Sequence, residues 1–107
     1  MSIEFSHHNI QQTSDPKQIM KVIFKTQKQA DIAVQIIETI KEKREIYDHD
    51  MKELAKSVNC SEKWFYSRIL RTLQKLGMVR KDLNRYILSN DFANSLRRLE
   101  RSWRSFV

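Results

Sequence analysis

One glycine and one proline in 107 residues set the first constraint. All-β domains place turn residues roughly every 8–12 positions. Gly77 and Pro16 alone cannot supply them, so the chain reads as mainly helical. Cysteine is as scarce. Cys60 stands alone, which excludes an intrachain disulfide framework and points to a reducing compartment. Long apolar runs are missing too. Stretches such as Val22–Phe24 fall far short of the roughly 20 residues a membrane span needs, and Met1–Asn9 is polar and mixed, unlike a signal peptide. The expected setting is cytoplasmic, without a membrane partner. A phosphate-cradling loop needs more glycine than this chain has. Cys60, His7, His8 and His49 do not fall at structural-zinc spacing. No metal, cofactor or catalytic residue is therefore expected, and no enzyme.

What is present fits one small domain: 40% apolar and 31% charged residues. The net charge of +7 is unevenly placed. Residues 1–60 hold nine basic and nine acidic side chains, whereas residues 61–107 hold eleven basic against four acidic, which is the whole excess. A one-sided charge of this kind suits a polyanion, and a solvated basic face is the plainer alternative.

Residues 1–14 carry no sustained period and read as a flexible arm, with the domain at 15–107. Asp15-Pro16 is a cap followed by proline at the first helical position. A short helix to about Phe24 follows, with a strand over Ile19–Phe24 as the alternative. Thr26 to Gln29 is a capping box opening a helix with Ile32, Ala33, Ile36, Ile37 and Ile40 on one face. Ile46-Tyr47 suits a minimal strand. Asp50 with Glu53 reads as a second box, and Asn59-Cys60 as a turn in which Asn tolerates left-handed angles. Ser61 caps a helix running to Leu76, which Gly77 ends. Two short strands, within 78–88, flank a hairpin loop at Asp82-Leu83-Asn84. Ser89 or Asn90 then caps a last helix, about 90–106.

Short helix, capped turn, second helix, glycine and basic hairpin occur in that order. Through Glu53-Leu54-Ala55, Ser61, Ile69, Leu70, Leu73 and Leu76-Gly77-Met78-Val79-Arg80, the sequence resembles the winged helix-turn-helix family, including its MarR-like and ArsR-like single-domain regulators. The resemblance spans about residues 28–88. Asn59 stands where glycine is common, and Ser61 to Gly77 runs one residue longer than the pattern. It implies a winged helix-turn-helix fold with extra N- and C-terminal helices. It also implies a transcriptional regulator that binds double-stranded DNA.

The helical wheel agrees. Phe65, Tyr66, Ile69, Leu70, Leu73 and Leu76 share one side of helix 61–76, while Trp64, Ser67, Arg68, Arg71 and Lys75 gather on the other. In a helix-turn-helix the second helix enters the major groove. Arg68 and Arg71 suit guanine edges, Ser67 a base or phosphate, and Trp64 sugar and thymine methyls, unless the indole folds onto the core edge. The backbone contacts expected are Ser61, Lys63 and Lys75 from the helix and Arg80, Lys81 and Arg85 from the wing, 78–88.

Phe92, Leu96, Leu99, Trp103 and Phe106 follow one another at spacings of four, three, four and three, the seam of two packed helices. The expectation is a homodimer built on this seam with the helix around Ile19–Phe24. Packing on the chain's own core is the alternative. Cys60, beside a helix N-terminus, is a candidate redox site, with a half-buried turn residue as the plain reading. Two rivals remain: a DNA-coating or replication-associated protein on the same fold, and a winged-helix module that binds a protein. The target sequence, any effector and the sign of regulation are not legible. Lys/Ile-rich usage suggests an archaeal source.

Overall fold

The structure, a computed structural model, describes residues 16–107. The expected arm, with His7 and His8, and the Asp15 cap lie outside the described residues. A 3-10 turn, Pro16–Gln18, leads into α1 (Ile19–Ile23), a helix and not the alternative strand. Met20, Val22, Ile23 and Phe24 are buried in the chain's own core. The apolar face of α1 is therefore spent, which corrects its expected part in a dimer seam.

α2 (Gln27–Lys43) opens as the capping box predicts, with the Gln29 amide donating to Thr26 Oγ1 at 3.2 Å. Its inner face buries Ala30, Ile32, Ala33, Ile36 and Ile40 at three- and four-residue spacings. Arg44, at φ 70°, ends the helix and turns the chain into β1 (Ile46–Tyr47). α3 (Asp48–Ser57) starts three residues earlier than the Asp50 cap predicts. Tyr47 holds the cap position without a side-chain bond, and the Asp48 amide donates to the Asn84 carbonyl at 2.9 Å. The strand delivers the chain straight into the helix, and the hairpin loop replaces the side-chain cap. Asp48 and Asp50 still suit the positive first turn. Asn59 takes φ 54° in the turn that follows.

Three consecutive segments then run on as one helix, α4: Glu62–Trp64, a π segment Phe65–Leu70, and Arg71–Lys75. Ser61 Oγ accepts from the Trp64 amide at 3.1 Å. The π segment absorbs the extra residue between Ser61 and Gly77. In an unbroken α-helix Leu70 would sit about 140° round from Phe65. The wider π turn brings it back, and Phe65, Ile69 and Leu70 are all fully buried. Leu73 joins them against the α1–α3 residues of a single core. Gly77, at φ 83°, closes the helix.

β2 (Val79–Asp82) and β3 (Arg85–Leu88) form the hairpin, and β1 adds to it, giving an antiparallel sheet of order β1-β3-β2. Tyr86 pairs with Ile46 on one side and Lys81 on the other. The fold is mainly helical with a small three-stranded sheet. Leu83, 89% exposed, holds φ 58° at the first loop position, where glycine is at ease. Leu83→Gly is expected to stabilise the protein by about 0.5–1 kcal/mol. A thermal melt with unchanged or lowered Tm would contradict this.

α5 (Asp91–Phe106) begins where the Phe92 amide donates to the Gly77 carbonyl at 3.0 Å. Phe92 packs half-buried against the core, and none of the helix is fully buried. Leu96, Leu99, Trp103 and Phe106 face solvent, so of the expected seam Phe92 alone packs on the chain's own core, which takes it out of the expected dimer interface.

Candidate functional site

The basic residues of the second half lie on α4, the β2–β3 hairpin and α5, and the expected DNA contacts fall on the first two. On α4 the wheel holds despite the π turn, Trp64 excepted. Lys63, Ser67, Arg68, Arg71 and Lys75 are exposed, and the apolar residues point inward. Ser67 Oγ donates to the Lys63 carbonyl at 2.7 Å, and buried Thr72 Oγ1 to the Arg68 carbonyl at 2.8 Å. Ser67 thus spends its proton inside the helix and keeps acceptor capacity toward solvent. Trp64 does not stand out from this face. It is half-buried against the core edge, with the Lys28 ammonium 5.7 Å from its ring centroid. That placement corrects the outward indole, since the ring already has an apolar bed and a cation.

The hairpin cations divide into two kinds. Lys81 Nζ lies 3.2 Å from Asp48 Oδ1 and 5.3 Å from the Tyr86 ring centroid. Arg85 bonds Glu45 Oε2 at 2.6 Å and Asp82 Oδ2 at 3.1 Å. Their carboxylate partners, Asp48 first for Lys81 and Glu45 first for Arg85, raise both cations above their ordinary pKa. Burial raises the phenols of Tyr66 and Tyr86, which lie beside this cluster, so they remain protonated donors. Arg80, in contrast, is exposed and makes no ion pair among the described residues. Lys63, Arg68, Arg71 and Lys75 share that condition. Five uncompensated cations, four on α4 and one on β2, are therefore the available positive charge of this surface.

The family model that matches residues 13–107, nearly the whole chain, describes an archaeal family. The chain belongs to that archaeal family. No curated protein and no solved structure matches it. In this archaeal protein no helix among the described residues is long and apolar enough to cross a membrane. No group of three or more His, Cys, Asp or Glu among the described residues is placed to hold a metal ion. Cys60 is a half-buried free thiol in the turn before α4.

Sequence reasoning missed Glu45 and Asp48 as counter-charges to the hairpin, because the Glu45–Arg85 pair spans forty residues. The one signal was Ile46-Tyr47. Once that strand is aligned with Arg85-Tyr86, Glu45 lies two residues from Tyr47, the partner of Arg85, and so is diagonal to Arg85 on the same face. Arg85 thereby ties two strands and the loop. Arg85→Ala is expected to lower Tm while leaving any nucleic-acid affinity within about twofold. Equal melting with a large affinity loss would reverse that assignment.

Proposed function

We propose that this protein is a winged helix-turn-helix regulator of transcription that binds double-stranded DNA as a two-fold dimer. The observation that carries the reading is the run of uncompensated cations along the outer face of α4, beside a hairpin that adds Arg80. α3, the Asn59 turn and α4 supply the helix-turn-helix, and β2–β3 the wing. The winged-helix assignment rests on this order of elements.

Arg68 and Arg71 reach base edges in the major groove, where a guanidinium pairs bidentately with guanine O6 and N7. Ser67 accepts from a base amino group. Lys63, Lys75 and Arg80 take phosphates, with the Ser61 hydroxyl near the same strand. Lys81 and Arg85 are already met by carboxylates, so they contribute less than their charge suggests. Trp64 supports the α4 N-terminus instead of reading thymine.

A phosphate contact and a base contact leave different marks. Arg80→Ala is expected to reduce the slope of log K against log salt by about 0.9 and to weaken all duplexes alike. Anisotropy titrations at several salt concentrations on two unrelated duplexes measure both quantities. A changed base preference with an unchanged slope would contradict the role. Equal affinity for every duplex, with no recovered consensus, would favour a DNA-coating protein instead.

A further inference from the structure

α5 leaves the body after Phe92 with its apolar side uncovered: Leu96 is 42% exposed, Leu99 66%, Trp103 67% and Phe106 86%. Two stacked aromatic rings in water, Trp103 and Phe106 at 6.3 Å between centroids, invite a cover. The shape of the patch says which cover. At 100° per residue these four side chains fall within an arc of about 80°. Helices that lie on a core or in a lipid interface bury a wider stripe, while a narrow stripe at alternating three- and four-residue steps is the seam of a helix pair. Asn94, Arg97, Arg101 and Arg104 hold the far side in water, and the flanking Ser95 and Ser102 are small enough for close approach.

We infer that α5 pairs antiparallel with α5 of a second copy, Leu96 facing the partner's Phe106 and Leu99 facing the partner's Trp103. Direction follows from volume. A parallel pair would stack Trp on Trp and Phe on Phe at one end, with undersized Leu–Leu layers at the other. The antiparallel pair sets each large ring against a leucine, which fills every layer evenly. Opposed helix dipoles favour the same direction. Glu100, which comes near its symmetry mate in this arrangement, is already bonded to Arg104 of its own helix at 2.7 Å. Two aromatic rings and two leucines from each copy bury on the order of 1,000 Å² in all, at the lower limit for a specific interface. The dimer is accordingly a reversible one.

The pairing axis falls near residue 101, so the two bodies leave the rod at opposite ends. Their α5 starts lie about 30 Å apart at 1.5 Å per residue. This is close to the roughly 34–36 Å between half-sites one helical turn apart. Only this last consequence rests on the DNA reading above.

A nitroxide on Ala93→Cys in a Cys60→Ser background tests the geometry in the full chain. At tens of micromolar, pulsed electron spin resonance is expected to give about 25–30 Å between labels. Leu99→Glu, at a solvent-facing position, is expected to abolish that distance and halve the mass in sedimentation. A separation below about 15 Å would mean a parallel pair and overturn the proposal. A monomeric mass without dipolar coupling would overturn it as well. Should the monomer's tryptophan emission shift to the blue on phosphatidylglycerol vesicles, the face belongs to a lipid surface instead. DNA is absent throughout, so the pairing and the DNA reading fail separately.

Discussion

Replacing Arg68 and Arg71 together with alanine is expected to cost about 2–6 kcal/mol of affinity for a preferred duplex, a loss of roughly 30-fold to 10⁴-fold. Each guanidinium stands on the exposed face of α4 without a carboxylate partner among the described residues. Each is free to form two parallel bonds to one guanine, and such a pair discriminates against a wrong base by about 1–3 kcal/mol. The single variants should each relax preference at one position of the site. Because neither side chain packs in the core, the melting curve should move by no more than about 0.5 kcal/mol equivalent. Anisotropy with a selected duplex and with a scrambled one separates the two effects. If the double variant weakened both duplexes equally, the arginines would be phosphate contacts. The base-reading role would then be lost.

Gly77→Ala is expected to be among the most damaging single changes outside the core. The glycine sits at φ 83°, where a side chain is strained. An added Cβ would lie 2.8 Å from Asp91 Cβ and 2.9 Å from the Phe92 backbone nitrogen. Neither neighbour yields cheaply, because the Phe92 amide is held by the Gly77 carbonyl at 3.0 Å. The strain and the forced shift together should cost about 3 kcal/mol. For a domain of this size that is a fall in Tm of about 10–20 °C. The start of α5 should loosen as well, since the residue that terminates α4 is also its seat. A change of less than about 4 °C would mean that this junction carries little of the fold's stability.

The features legible in the sequence were those fixed within one turn of chain. Thr26 and Ser61 announce helix starts because a hydroxyl reaches an amide three residues on, and both bonds form. Gly77 announces a helix end through the backbone angle it alone adopts without strain. Ile46-Tyr47, though only two residues long, proved a strand. What escaped is non-local. Asp50 offered a valid cap, yet the loop carbonyl of Asn84 satisfies the Asp48 amide from the other end of the domain. The π turn was visible only as one surplus residue between Ser61 and Gly77. Its position depends on which side chains the core accepts. Trp64 sat on the polar side of an ideal wheel, but an indole at a helix start reaches round to apolar neighbours that the wheel does not contain. Lys81 and Arg85 looked as available as Arg80. Their pairing with Asp48 and Glu45 depends on β1 lying beside β3, which no local pattern encodes.

The measurement that bears most directly on the proposed function is a fluorescence-anisotropy titration of a random duplex pool at two salt concentrations, with the bound molecules recovered and sequenced. Dimeric, sequence-specific recognition through α4 predicts tight binding at low salt, a steep loss as salt rises, and an enriched palindrome. The Arg68→Ala/Arg71→Ala variant should lose that enrichment. No binding at low salt, or recovery of the same sequences by the variant, would contradict the account.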